Sequence, residues 1–225
     1  MSANGTSRLR RLARGEFVPS AEPDSEPDER CDLCGAPIPA EHRHLLEVGT
    51  RELMCACQPC SLLFDRDAAS EGRYRKVPDR RLRLDGFELD DQTWEELSVP
   101  VEMAFFFHSE REGRVMAFYP SPAGPTESLL GLDAWSQIEA ANPLLAEMQP
   151  DVEALLVNRA RGARQHFLVP IDECYRLVGL IRTRWRGFTG GKEVWQGIAD
   201  FFEDLDRRSR PTGNENTAAA AAERS

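Results

Sequence analysis

Five of the six cysteines of this chain lie in one stretch, residues 31–60, with the sequence CDLCGAPIPAEHRHLLEVGTRELMCACQPC. The stretch contains two Cys-x-x-Cys pairs, which begin at Cys31 and Cys57, and 22 residues separate the two pairs. Two such pairs supply four thiolates that can meet at one tetrahedral metal ion. Gly35 follows the first pair and permits a tight turn whose backbone amides point at sulfur. The stretch therefore predicts a small metal-binding module.

The predicted ligands are the thiols of the two pairs, Cys31, Cys34, Cys57 and Cys60. A fifth thiol, Cys55, is expected to face away from the ion, and Cys55 and His44 are substitute ligands. His42 and His44 are either surplus ligands or the polar surface of a hairpin. Ser61 follows the second pair, where a second turn of the same kind would favour glycine.

Zn(II) is the expected metal, because about 30 residues cannot build a hydrophobic core and structural zinc supplies the missing stability. Four thiolates also accept iron or an iron–sulfur cluster, so both remain alternatives. The apolar residues between the two pairs, such as Leu45 and Leu53, predict a short hairpin that brings the pairs together.

Composition divides the chain into five parts. Residues 1–30 and 211–225 lack apolar periodicity and are predicted to be disordered tails. Residues 31–65 form the cysteine module. Residues 66–86 form a basic connector, whose arginines either contact a phosphate or an acidic partner surface or belong to a solvated linker. Residues 87–210 are predicted to form one α+β domain.

Strand patterns recur in that domain. Val101–His108 (VEMAFFFH) and Arg114–Tyr119 (RVMAFY) are rich in β-forming residues, and a Glu-Gly turn between them predicts an antiparallel hairpin. Val152–Asn158 and His166–Val169 predict two further strands. Pro120–Thr126 (PSPAGPT) is predicted to be a loop.

Helical patterns follow the strands. Asp133–Met148 predicts a helix divided near Pro143, and two C-terminal amphipathic helices follow, the first capped by Asp172. Gly187–Gly191 is predicted to be the turn that joins them. The expected fold class is α+β: a zinc-ribbon- or rubredoxin-like module, then an antiparallel-sheet domain of about four strands with helices on one face.

Charge and hydropathy exclude several classes of function. The 225 residues include 28 basic and 38 acidic side chains, a net charge of −10, which argues against nucleic acid as the main partner. Residues 87–151 carry thirteen acidic and two basic side chains, which form either a solvated face or a surface that attracts a basic protein partner. No apolar run is long enough to span a membrane, and no signal-peptide core is evident, so a cytoplasmic location is expected.

No sequence pattern of a known active site is present. The chain lacks a P-loop, a dinucleotide-binding glycine pattern, a Gly-x-Ser-x-Gly elbow and a His-Glu-x-x-His motif. His108 and His166 lie on predicted strands and are the candidate bases if the domain is an enzyme. Cys174 is expected to be a buried apolar residue. The sequence thus favours a non-enzymatic role.

Three stretches resemble a known group: CDLCGAPIPAEHRHLLEV, LMCACQPCSLLF and VPIDECYRLVGLIRTRWRGFTGGKEVWQGIADFF. They are similar to an actinobacterial family of uncharacterised proteins often encoded beside high-affinity NiFe hydrogenase genes, and the resemblance covers about residues 31–206. It implies an accessory protein for the assembly or maturation of a hydrogenase, or for electron transfer to or from it, with hydrogenase subunits or maturation factors as partners. The alternative is an iron-containing electron carrier or redox sensor, although the residue after Cys60 departs from the rubredoxin pattern.

Overall fold

The computed structural model describes residues 29–64, 72–129, 132–187 and 189–212. The predicted disordered tails lie outside the described residues, apart from the two innermost residues of each. One residue of each tail pairs through its backbone with the folded chain. Arg30 forms an isolated bridge with Pro37, and Pro211 belongs to the short strand Arg210–Pro211. The described chain forms two sheets.

A three-stranded antiparallel sheet carries the cysteine-rich stretch. Its strands are β1 (Arg43–Glu47), β2 (Glu52–Ala56) and β3 (Tyr74–Lys76), and a short helix, α1 (Gln58–Leu63), follows β2. The strand order is β2-β1-β3, and Leu45 of β1 lies opposite Met54 of β2. This pairing confirms the hairpin predicted between the two cysteine pairs.

The second sheet has seven strands in the order β10-β4-β9-β8-β5-β6-β7. They are β4 (Leu82–Arg83), β5 (Met103–Ser109), β6 (Arg114–Ser121), β7 (Gly124–Ser128), β8 (Glu153–Asn158), β9 (Gln165–Pro170) and β10 (Arg210–Pro211). Every neighbouring pair is antiparallel except β10 with β4. The β5–β6 hairpin and the strands β8 and β9 are confirmed.

Helices cover both faces of this sheet. They are α2 (Asp91–Glu96), α3 (Leu132–Ala141), α4 (Ile171–Arg184) and α5 (Gly191–Arg208), with short 3-10 helices at Pro143–Glu147 and Ala160–Gly162. In β5, Phe105 and Phe107 join the core under α4 and α5, whereas Phe106 packs in a second core with Trp135 of α3. The expectation of helices on one face is therefore wrong.

The apolar run in β5 explains this two-sided burial. Alternate residues of a strand point to opposite faces, so the uninterrupted run in MAFFFH places apolar side chains on both. A strand with one solvated face would alternate apolar and polar residues instead.

Among the described helices, none has the length and apolarity needed to cross a membrane.

The segment predicted as a loop at Pro120–Thr126 is a tight connection between two strands. β6 continues to Ser121, and β7 begins at Gly124 and forms one edge of the sheet. Pro125 pairs with Pro120 in this ladder. Pro125 lies on this edge strand, where a missing N–H need not cost a ladder hydrogen bond. A proline-rich stretch can therefore form strand as well as loop, and the loop prediction is wrong.

The described part of the predicted basic connector contributes one strand to each sheet, β3 and β4. Its arginines are paired within the chain: Arg80 donates to Glu153 at 2.7 Å, and Arg81 donates to Glu173 at 2.7 Å. Both carboxylates are buried, with 0 % and 4 % of their surface exposed. These two arginines therefore do not belong to a solvated linker. Residues 65–71 lie outside the described chain.

Candidate metal centre

The first cysteine pair lies in a tight turn closed by the backbone. The Gly35 N–H donates to the Cys31 carbonyl at 2.8 Å, and the Cys31 N–H donates to the Ala36 carbonyl at 2.8 Å. Gly35 has a φ of +71°, in the left-handed region that favours glycine. The turn predicted from this glycine is confirmed.

Two hydrogen bonds attach this turn to the end of β2. The Asp32 N–H donates to the Cys55 carbonyl at 2.8 Å, and the Cys55 N–H donates to the Asp32 carboxylate at 2.6 Å. Because Cys55 lies two residues before Cys57, this attachment brings the first cysteine pair beside the second.

The second cysteine pair lies at the start of helix α1. Cys57 is the residue before the first helical position, and the Ser61 N–H donates to its carbonyl at 2.9 Å. Cys60 lies in the first turn, and residues three apart on a helix share one side. The second pair therefore needs no glycine, which explains Ser61, a buried residue whose hydroxyl donates to the Gln58 carbonyl. The module thus departs from a zinc ribbon built on two glycine turns.

The structure brings all four predicted ligands together. The sulfur atoms of the two pairs lie within 4.8 Å of one another. The sulfurs of Cys34 and Cys57 are 3.7 Å apart, close to the edge of about 3.8 Å of a tetrahedron with metal–sulfur bonds of about 2.3 Å. A disulfide would require about 2.05 Å. The four free thiols can therefore hold one metal ion.

Hydrogen bonding distributes the protons of the cluster unevenly. Burial raises the pKa of the Cys31 thiol, but the backbone amides of Cys57, Cys34 and Leu33 point at its sulfur and lower this pKa to about 6. Hydrogen bonds with the thiols of Cys57 and Cys34 raise the pKa of Cys60 to about 12. The backbone amides therefore favour the thiolate of Cys31, which is the metal-binding form, and a cation bound by the cluster would displace protons from the remaining thiols.

The substitute ligands form a group of their own. The sulfur of Cys55 and one ring nitrogen each of His42 and His44 lie within 4.8 Å of one another. His44 and Cys55 are directly opposite in the β1–β2 ladder, so their side chains share one face of the hairpin. Cys55 thus lies beside the two histidines rather than serving as an isolated spare thiol.

Asp172 is a site residue that the sequence pattern assigned to another role. The residue that precedes helix α4 is Pro170, so the prediction that Asp172 caps this helix is wrong. Its carboxylate lies 2.9 Å from Nδ1 of His44. An acidic residue in the first turn of a helix is common, and nothing in the local sequence indicates a partner 128 positions earlier.

The candidate bases lie elsewhere in the fold. Nε2 of His108 is 3.1 Å from the Glu139 carboxylate, and about a third of each side chain is exposed. His166 stacks on Phe87, and burial together with the nearby charge of Arg159 lowers the pKa of its imidazole to about 4. His166 is therefore neutral near pH 7.

The fold and the cysteine cluster together define an α+β protein in which a candidate metal-binding module packs against a seven-stranded sheet. A family model described as a family of unknown function (DUF5947) matches residues 30–209, and the chain belongs to that family. No curated protein and no solved structure shows significant similarity to the chain. The family description names no activity, ligand or partner.

Proposed function

We propose that the four-cysteine cluster binds one structural Zn(II) ion and that the chain is a non-enzymatic accessory protein of the cytoplasm. The observation that carries this proposal is the convergence of four sulfur atoms within 4.8 Å from separate elements, the turn at Cys31 and the start of α1. Four thiolates complete a tetrahedral site and leave no open position for a substrate, as in structural zinc sites.

The small size of the module supports a structural role for the ion. Its three strands are each five residues long or shorter, and β1 and β3 share only three paired positions. A unit of this size has little apolar surface to bury, so the metal would supply part of its folding free energy.

Replacement of one cysteine tests the site. Cys34→Ser should remove one equivalent of metal per chain and make residues 31–64 susceptible to proteolysis. Cys174→Ala is the matched control, because Cys174 is fully buried in the main core and far along the chain from the cluster. Element analysis of anaerobically purified protein gives the metal content. Unchanged metal content in Cys34→Ser would contradict the proposal.

Iron is the alternative occupant, and the absorption spectrum distinguishes the two metals. A zinc protein is colourless, whereas iron bound by thiolates absorbs visible light and changes its spectrum on reduction. Visible bands in the anaerobically prepared protein would replace the zinc proposal with an iron-containing electron carrier or redox sensor.

The proposed partner is a NiFe hydrogenase subunit or maturation factor, and the support for it is the sequence resemblance of the three stretches described above. Deletion of the gene in an organism that also carries such a hydrogenase should reduce hydrogen uptake. Complementation with the wild-type gene should restore uptake. Normal hydrogen uptake in the deletion strain would contradict the link.

Part of the acidic segment 87–151 is neutralised within the chain, which narrows the surface available to a basic partner. Arg75 lies 3.1 Å from the Glu110 carboxylate, and Arg80 lies 3.3 Å from that of Glu147. A contact through Glu95 or Glu96 of α2, which are exposed, would therefore be more accessible than one through these paired residues.

A further inference from the structure

A second group of metal-binding atoms lies beside the four-cysteine cluster. It consists of His42, His44 and Cys55, whose ligand atoms lie within 4.8 Å of one another. The two imidazole rings meet edge to face, with 4.7 Å between their centroids. Neither histidine nor this cysteine belongs to the four-cysteine cluster, so both groups can be occupied at once.

Hydrogen bonds fix the orientation of both imidazoles. Nδ1 of His42 lies 3.0 Å from the Pro39 carbonyl oxygen, and Nδ1 of His44 lies 2.9 Å from the Asp172 carboxylate. Both partners are acceptors, so each Nδ1 must carry the proton. Each Nε2 then carries the lone pair that a metal requires. This is the arrangement in which metal-binding histidines are found, with the far nitrogen donating to a carbonyl or carboxylate oxygen.

His42 shows an unpaired polar atom in the same place. Its side chain is only 7 % exposed, and its Nε2 is buried with no hydrogen-bond partner. A buried acceptor without a partner is unfavourable, because it has lost its hydrogen bond to water and gained none in return. A bound cation would remove this cost by accepting the lone pair.

His42 and His44 border a groove between the module and the C-terminal helices. The groove has a volume of about 1030 Å³, and His42, His44, Asp172 and Arg176 are among its lining residues. Three protein ligands leave one position of a tetrahedral ion free, and such open sites accept water or a small molecule. The geometry thus differs from that of the closed four-cysteine cluster.

We propose that His42, His44 and Cys55 bind a second divalent metal ion of the zinc class, through Nε2 of each histidine and the sulfur of Cys55. Asp172 is a positioning residue that orients His44. The fourth position of this ion is left for water or a small molecule. The two sites share no ligand, so variants of His42, His44 or Cys55 test the second site without removing a ligand of the four-cysteine site.

Anaerobic titration with Co(II) and Zn(II) tests the second site. The wild type should bind two equivalents, and Cys55→Ser and His44→Gln should each bind one. His108→Gln is the matched control, since His108 lies on β5 outside the group and this variant should bind two. His42→Gln should likewise bind one equivalent, and circular dichroism of each variant identifies any loss that comes from misfolding.

The outcomes separate this proposal from the proposed four-cysteine site. If the wild type binds one equivalent and Cys55→Ser binds none, the second site stands and the four-cysteine site fails. If Cys55→Ser and His44→Gln bind as many equivalents as the wild type, the second site is overturned.

The role of Asp172 has a separate readout. Asp172→Asn keeps all three ligands but replaces the acceptor that fixes the His44 tautomer, so the affinity of the second site should fall about 10- to 100-fold. The affinity of the four-cysteine site should stay unchanged, and the ligand-field absorption of bound Co(II) should shift at the second site alone. Equal loss at both sites would indicate a structural role and overturn the positioning role.

Discussion

Gly35 illustrates how a single residue shapes the metal centre. Its φ of +71° is costly for residues with a Cβ, yet a Cβ built at this position would meet no atom within 4 Å. Backbone conformation alone therefore opposes substitution. Burial raises the pKa of the Cys31 thiol, but the amide of Cys57 and the turn amides of Cys34 and Leu33 lower it to about 6. The turn therefore stabilises the thiolate together with the second cysteine pair.

Gly35→Ala should destabilise the turn by about 1 kcal/mol, because the left-handed region is unfavourable for alanine. If metal binding requires the same turn, the affinity of the four-cysteine site should fall about 5-fold. Competition with a colorimetric zinc chelator measures the affinity. Gly49→Ala is the control, since Gly49 also has open space around it but lacks a positive φ. Equal effects of the two substitutions would contradict this explanation.

At the scale of elements, the turn between α4 and α5 is a glycine-dependent packing unit. Gly190 has a φ of +83°, and a Cβ there would lie 2.7 Å from Val194 and 3.0 Å from the Trp185 ring. The indole N–H of Trp185 donates to the Gly187 carbonyl at 2.8 Å. The predicted link between the two helices is confirmed by the end of α4 at Arg184 and the start of α5 at Gly191, although Phe188 lies outside the described residues. Close packing accounts for one of its glycines.

Gly190→Ala should lower the free energy of unfolding by about 3 kcal/mol, because the methyl group adds a steric clash to an unfavourable φ. Gly187→Ala should cost about 1 kcal/mol, since Gly187 has a similar φ of +61° with no atom within 4 Å of an added Cβ. Urea denaturation of both variants gives the difference. Similar losses of unfolding free energy in Gly190→Ala and Gly187→Ala would show that packing against Trp185 is unimportant.

At the scale of the whole molecule, buried ion pairs connect distant parts of the chain. Glu173 on α4 is 4 % exposed, and Arg81 from the connector and Arg208 at the end of α5 each donate to it at 2.7 Å. Arg176 lies 2.8 Å from the same carboxylate. Burial raises the pKa of Glu173, but these three arginines outweigh burial and lower it below its ordinary value.

Glu173→Gln should lower the free energy of unfolding at pH 7 by about 3 kcal/mol, because the arginines lose their buried counter-charge. Since the folded-state pKa is lowered, this stabilisation is present above the unfolded value near 4.5 and is lost as pH falls through the folded pKa. The difference in free energy of unfolding between the wild type and Glu173→Gln should therefore shrink below pH 4.5. Urea denaturation at a series of pH values measures it.

Glu203→Gln provides the control for that measurement. Glu203 lies on α5 and is exposed, so its replacement should change stability by less than about 0.5 kcal/mol at any pH. A pH-independent difference between the wild type and Glu173→Gln would contradict the proposed ion-pair contribution.

Local signals were sufficient for much of the fold. The hairpins, the helix divided near Pro143 and both C-terminal helices follow from periodicity and turn residues, which depend on neighbours within a few positions. β3, β4 and β10 are three residues or shorter and lack a periodic pattern. Their pairing depends on contacts far along the chain, so no local pattern predicts these three strands.

The spacing of the cysteines is enough to identify the two pairs, because Cys-x-x-Cys is a local pattern whose residue types and separation suit a metal ion. The position of the second pair at a helix start, the grouping of Cys55 with His42 and His44, and the contact of Asp172 with His44 emerge from the folded chain alone. The difference comes from distance along the chain. A turn is closed by hydrogen bonds between near neighbours, whereas a contact across 128 positions exists only after both sheets and α4 have packed.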